Sequence, residues 1–82
     1  MMKNVVFVLI GKERYIDAIP SVLTAVQPEN IERIYDLCSK MSKQYNGLDL
    51  MLYTYSNGHL SEVSTYDEFE DDFKILTRFE NE

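Results

Sequence analysis

The chain has 82 residues and a formal net charge of -6, from 14 acidic and eight basic residues. Its length predicts one small domain, 1–82, with a thin core, because a chain of this size buries only about 60–65% of its unfolded surface. Its cations are scattered singly, so direct nucleic-acid binding and an anionic membrane surface are not expected. There is one cysteine, Cys38. It can form no internal disulfide, which favours a reducing, cytoplasmic compartment.

The first element is Val5–Ile10, an apolar run rich in β-branched residues. It is too short for a membrane span of about 20 residues and lacks the pattern of a signal peptide. It reads as a strand that is apolar on both faces and central in its sheet. The segment "GKER" reads as a turn. Tyr15–Ile19 is the expected second strand, interrupted by Pro20. Ser21–Val26 fits either a strand or a helical turn.

Pro28 then suits the first position of a helix. Ile31, Ile34, Tyr35, Cys38, Met41 and Tyr45 recur at the spacing of one helical face. Glu29 and Glu32 sit near its start, and Lys40 and Lys43 near its end, as the helix dipole favours. Gly47 is the expected left-handed cap. Asn57-Gly58, between two β-prone runs, signals a two-residue hairpin with arms Leu48–Ser56 and His59–Ser64. Regular pairing sets Tyr55 opposite Leu60, Tyr53 opposite Glu62 and Leu52 opposite Val63.

The last stretch reads as a second amphipathic helix over Tyr66–Leu76. Thr65 and Glu68 fit a capping box, and Tyr66, Phe69, Phe73 and Leu76 form the apolar stripe. A short strand after Phe73 is the alternative. The expected order is thus β-β-α-β-β-α. That is an α+β fold with a small, mostly antiparallel sheet of three to five strands and two amphipathic helices.

Residues 64–82 hold seven acids and two bases, a balance of -5, against -1 for the other 63 residues. On a helix, Asp67, Glu70 and Asp71 would face away from the aromatic stripe, flanked by Glu68 and Asp72. Three readings follow, the least favoured being cation binding. The acids are a solvated face that keeps a small protein dispersed, or they are a carboxylate array for a basic partner. Their spacing does not match a Ca²⁺ loop.

No metal or cofactor is expected. His59 is the single histidine and Cys38 the single cysteine, so no zinc set can form. Cys38 lies on the apolar helical stripe and reads as a buried structural thiol. No catalytic motif is present, and enzyme activity is not expected. Tyr53 and Tyr55 share one face of the hairpin, where aromatic rings can anchor a partner.

In profile, though in no motif, the chain is similar to small acidic proteins that occupy another protein's surface. Phage-encoded inhibitors, anti-CRISPR proteins, nucleic-acid mimics and antitoxins are such proteins. The resulting expectation is a non-enzymatic binding module that fills a basic groove of a nucleic-acid-handling protein. Asp67, Glu68, Glu70, Asp71 and Asp72 would contact the partner, with Tyr53 and Tyr55 as anchors. The alternative is a self-associating, homodimeric module. It would join through a sheet edge or a tyrosine-bearing face, and its acids would only keep it dispersed.

Overall fold

A computed structural model describes residues 4–14, 17–44 and 47–79. Five strands form one antiparallel sheet: β1 (Val5–Glu13), β2 (Ser21–Val26), β3 (Leu48–Ser56), β4 (His59–Asp67) and β5 (Asp72–Arg78). Their spatial order is β2-β1-β3-β4-β5. Between β2 and β3 the chain makes a 3-10 turn, Pro28–Asn30, and then the one helix of the described residues, α1 (Ile31–Gln44).

The helix forms for the reasons its sequence gives. Pro28 opens the first turn without needing its missing N–H. Glu32 lies in the first turn of α1 and Lys43 in the last. Gly47 has φ 91°, the left-handed conformation that lets the chain reverse into β3. The apolar stripe turns inward, with Ile34 and Cys38 completely buried. Tyr45, also assigned to that stripe, lies outside the described residues.

The core lies between α1 and one face of the sheet. Leu9, Val26, Ile34, Cys38, Leu50 and Leu52 are its buried members, and Phe7, Ile31, Leu37, Met41, Tyr66 and Phe73 pack around them. Phe73 makes edge-on ring contacts with Tyr35 and Tyr66, with centroids 5.4 Å apart in each pair. This aromatic cluster ties β5 to the helix.

The structure corrects four expectations. The second helix does not exist, and the order β-β-α-β-β-α gives way to five strands and one helix. Tyr66 and Phe73 are cross-strand partners, not two turns of one helical stripe. Asp71 takes φ 55°, which ends any helix there and which Asp tolerates better than most residues. A helix would also have stacked Asp67 on Asp71 and Glu68 on Asp72 as like-charge pairs. The alternative of a strand after Phe73 agrees with β5.

Second, the strand after β1 is Ser21–Val26. Tyr15 and Ile16 lie outside the described residues, and Asp17–Pro20 is turn and irregular chain. Third, Gly11 is not in a turn, because β1 continues through Glu13. A Cβ at Gly11 would sit 2.9 Å from Leu23 Cδ1, so the glycine makes room for the leucine.

The fourth correction is in register. Ser56 pairs with His59 and Tyr55 with Leu60, as the Asn57-Gly58 turn requires, but Ser61 is then an extra residue. Its hydroxyl donates to the Thr54 carbonyl at 3.0 Å. Beyond this bulge Tyr53 faces Val63 and Leu52 faces Ser64.

A one-sided core makes each buried side chain costly to truncate. Leu9→Ala and Ile34→Ala should each lower unfolding free energy by about 2–5 kcal/mol, read from urea denaturation. Loss of under about 1 kcal/mol at both positions would contradict this core.

Candidate functional site

The acidic segment is a hairpin tip joining β4 to β5, and most of its carboxylates serve the hairpin. Asp67 Oδ1 accepts from the Phe69 amide at 2.9 Å and the Glu70 amide at 3.4 Å. Its Oδ2 lies 2.9 Å from Lys74 Nζ. The Lys74 partner, then the Phe69 amide, hold its carboxyl below the usual range. Asp71 accepts the Tyr66 hydroxyl, and Asp72 accepts the Tyr35 hydroxyl at 3.3 Å. Glu70 lies 3.8 Å from Lys74. Among the described residues Glu68 alone of the five has no such partner. Beside it Phe69 is 93% exposed at the tip. The five acids are therefore close together, but not as a regular array.

Tyr53 and Tyr55 lie elsewhere, on the sheet face that α1 does not cover. Strand alternation and register define this face. One row across the sheet reads Ala25, Val8, Tyr53, Val63, Thr77, and the next reads Val22, Ile10, Met51, Thr65, Lys74. Val6, Tyr55 and Leu60 form a third, shorter row. None of these apolar side chains belongs to the core cluster. Charged pairs fence two corners: Arg14 Nε lies 2.8 Å from Asp49 Oδ1, and Lys74 bridges to Asp67. The structure thus puts the expected aromatic anchors on the sheet face and the expected acidic contacts at the hairpin tip, with Asp67 at the corner where the two meet.

The sequence reading missed Val6, Val8, Ile10, Met51 and Val63 as companions of the two tyrosines. One signal was available. A strand that is apolar on both faces requires cover on both, and one helix supplies cover for one. The placement of Val63 had no such signal, because it depends on the bulge at Ser61.

The reactive groups are placed for structure. Burial, then Asp71, push the Cys38 thiol up to about 12, so it stays protonated near neutrality. Burial and the bond to Asp71 push the Tyr66 phenol up to about 12 as well. His59 is exposed at the start of β4. Among the described residues no group of three or more His, Cys, Asp or Glu side chains could hold a metal ion. No helix there is long and apolar enough to cross a membrane. Comparison with protein-family models, curated proteins and solved structures gives no significant match.

Two measurements check this geometry. Thiol reagents should label native Cys38 at least about 100-fold more slowly than the unfolded chain, since labelling requires opening. Rapid native labelling would contradict the burial. The lowered Asp67 carboxyl adds stability that is full above its ordinary value of 3.8 and is lost as pH falls through its folded value. Asp67→Asn should therefore lower the urea midpoint at pH 7 and flatten its decline toward about pH 3. An unchanged acid limb would show that the Asp67 contacts contribute nothing.

Proposed function

We propose that this chain is a non-enzymatic protein-binding module that works through the uncovered face of its sheet, with Tyr53 near the centre and Tyr55 toward the Asn57-Gly58 turn. One observation carries the reading. About half of the sheet's large apolar side chains point away from the only helix of the described residues and take no part in the core. A contiguous apolar patch with a polar rim is the anatomy of an interface. Tyrosine suits its centre, because it offers large contact area with few rotatable bonds.

A second reading keeps the acidic tip as the contact surface, with a basic groove as its target. Phe69 favours it, since an exposed ring between Glu68 and Glu70 could anchor a charged contact. Three facts weigh against a nucleic-acid mimic: Asp67, Asp71 and Asp72 are each engaged within the fold.

The two readings separate in one capture experiment. Tagged wild type would be compared with a face variant, Val8→Asp with Tyr53→Asp, and a tip variant, Glu68→Gln with Phe69→Ser and Glu70→Gln. The recovered proteins, further copies of the chain included, would be identified by mass spectrometry. Loss of specific capture by the face variant alone is the expected outcome. Loss by the tip variant alone would transfer the function to the hairpin, and equal capture by all three would end the face reading.

A further inference from the structure

We infer that the occupant of the uncovered face is a second copy of this chain, packed sheet to sheet about a two-fold axis with both helices outward. This rests on the face being the binding surface, as proposed above, and adds the identity of the partner.

Area is the first argument. The three central strands are each nine residues long. Five strands at about 4.8 Å spacing, each roughly 20–30 Å long, give a footprint of about 500–700 Å² before side-chain relief. A standard interface buries about 800 Å² on each partner. The face therefore suffices for a stable dimer only if nearly all of it is used, which a surface of the same size and shape can do.

Shape is the second. Sheets pack in aligned sandwiches, about 10 Å apart and near -30°, when their twists match. A copy of this sheet has the same twist by construction. A two-fold axis through the patch also makes every contact reciprocal, so Val8, Ile10 and Tyr53 of each chain meet the same apolar surface of the other, as an isologous interface requires.

Charge is the third. The chain is acidic, yet the three acids that alternation and register assign to this face are each engaged: Asp49 with Arg14, Asp67 with Lys74, and Asp72 with the Tyr35 hydroxyl from the helical side, while Lys12 adds a cation opposite Asp49. Glu29, Glu32 and Asp36 are exposed on the helical side of the molecule, and Glu68 and Glu70 at the tip. Two copies can thus meet here without opposing unpaired carboxylates.

The sheet edges are the competing route to a dimer, and both are blunted. β2 is six residues long, bulged at Leu23 and preceded by Pro20. β5 is bulged at Leu76 and carries Lys74 and Arg78. Bulges and charged side chains are devices against edge pairing.

The test is mass in solution by light scattering and sedimentation, from about 1 to about 500 μM. The wild type should show twice the 9.6 kDa of one chain. Tyr53→Asp and Val8→Asp should return it to one chain with unchanged circular dichroism, whereas Leu76→Ser with Phe79→Ser should leave the dimer intact. In case a face variant fails to fold, a mixed sample of labelled and unlabelled wild type provides an independent reading. Isotope-filtered NOEs should connect the Tyr53 ring to valine and isoleucine methyls of the other chain. A wild type of single mass at the highest concentration would overturn the inference. If the face variant still lost a captured protein, the face reading would survive with a different partner. A dimer broken only by the edge variant, or one without those NOEs, would overturn the inference too.

Discussion

One helix lies over a five-stranded sheet, and the rest of the structure follows from that mismatch. A 14-residue helix is about 21 Å long and about 10 Å across with its side chains, enough to seal one face of the central strands. β1 shows the consequence within three residues. Leu9 is completely buried beneath α1, while Val8 and Ile10 on either side of it are only half-buried. Alternation in a strand sends neighbours to opposite faces, so a run of apolar residues here supplies a core and an uncovered surface in equal measure.

The bulge at Ser61 decides what that surface is made of. Without the extra residue, pairing would continue regularly from the Asn57-Gly58 turn and set Glu62 against Tyr53. With it, Val63 occupies that place, and Glu62 moves to the other face to meet Arg78 at 3.0 Å. The same shift sends Ser64 and Tyr66 beneath the helix, where Tyr66 can join Phe73 and Tyr35. One inserted residue thus makes the tyrosine-bearing face apolar and also completes the aromatic cluster that holds the edge strand β5 in place. Bulges of this kind change both faces of a strand at once, because side chains alternate with a period of two.

What the sequence revealed depended on whether the signal was local. The helix was legible because six residues at helical spacing, Pro28 and Gly47 all agreed. The β3–β4 hairpin was legible because Asn57-Gly58 permits few alternatives. Tyr66, Phe69 and Phe73 misled because their spacing fits a helix as well as a hairpin whose two aromatic residues meet across the strands. The like-charge i,i+4 pairs spoke weakly against the helix; the left-handed backbone of Asp71 excludes it, and that conformation is a property of the fold. β2 was ambiguous because six residues are too few to show a period, and its bulge at Leu23 blurs even those. The site was half legible: Tyr53 and Tyr55 were placed on one face correctly, but their neighbours come from β1 and from a bulged β4. Those partners are set by long-range pairing, and no window of the sequence contains them.

The acidity of the chain also takes its meaning from this geometry. Read along the sequence, a balance of -5 in the last 19 residues looks like a binding feature. In the fold, Asp67 closes a turn, while Asp71 and Asp72 hold tyrosine hydroxyls. Among the described residues, the exposed Glu68 and Glu70 lie at the tip, Glu29, Glu32 and Asp36 on the helical side, and Glu13 and Asp17 at the end of β1 and in the turn that follows it. Screening at physiological salt confines repulsion between exposed charges to about 8 Å. In the inferred sandwich, two sheets and two helix layers would separate the acids of one outer side from those of the other, roughly 30 Å at about 10 Å per layer. The net charge of -6 would then scarcely oppose face-to-face contact. It would act against contacts between tips or helices, which bring unpaired carboxylates together. Charge on such a chain need not attract a partner to matter: it leaves the neutral face as the least opposed place for association.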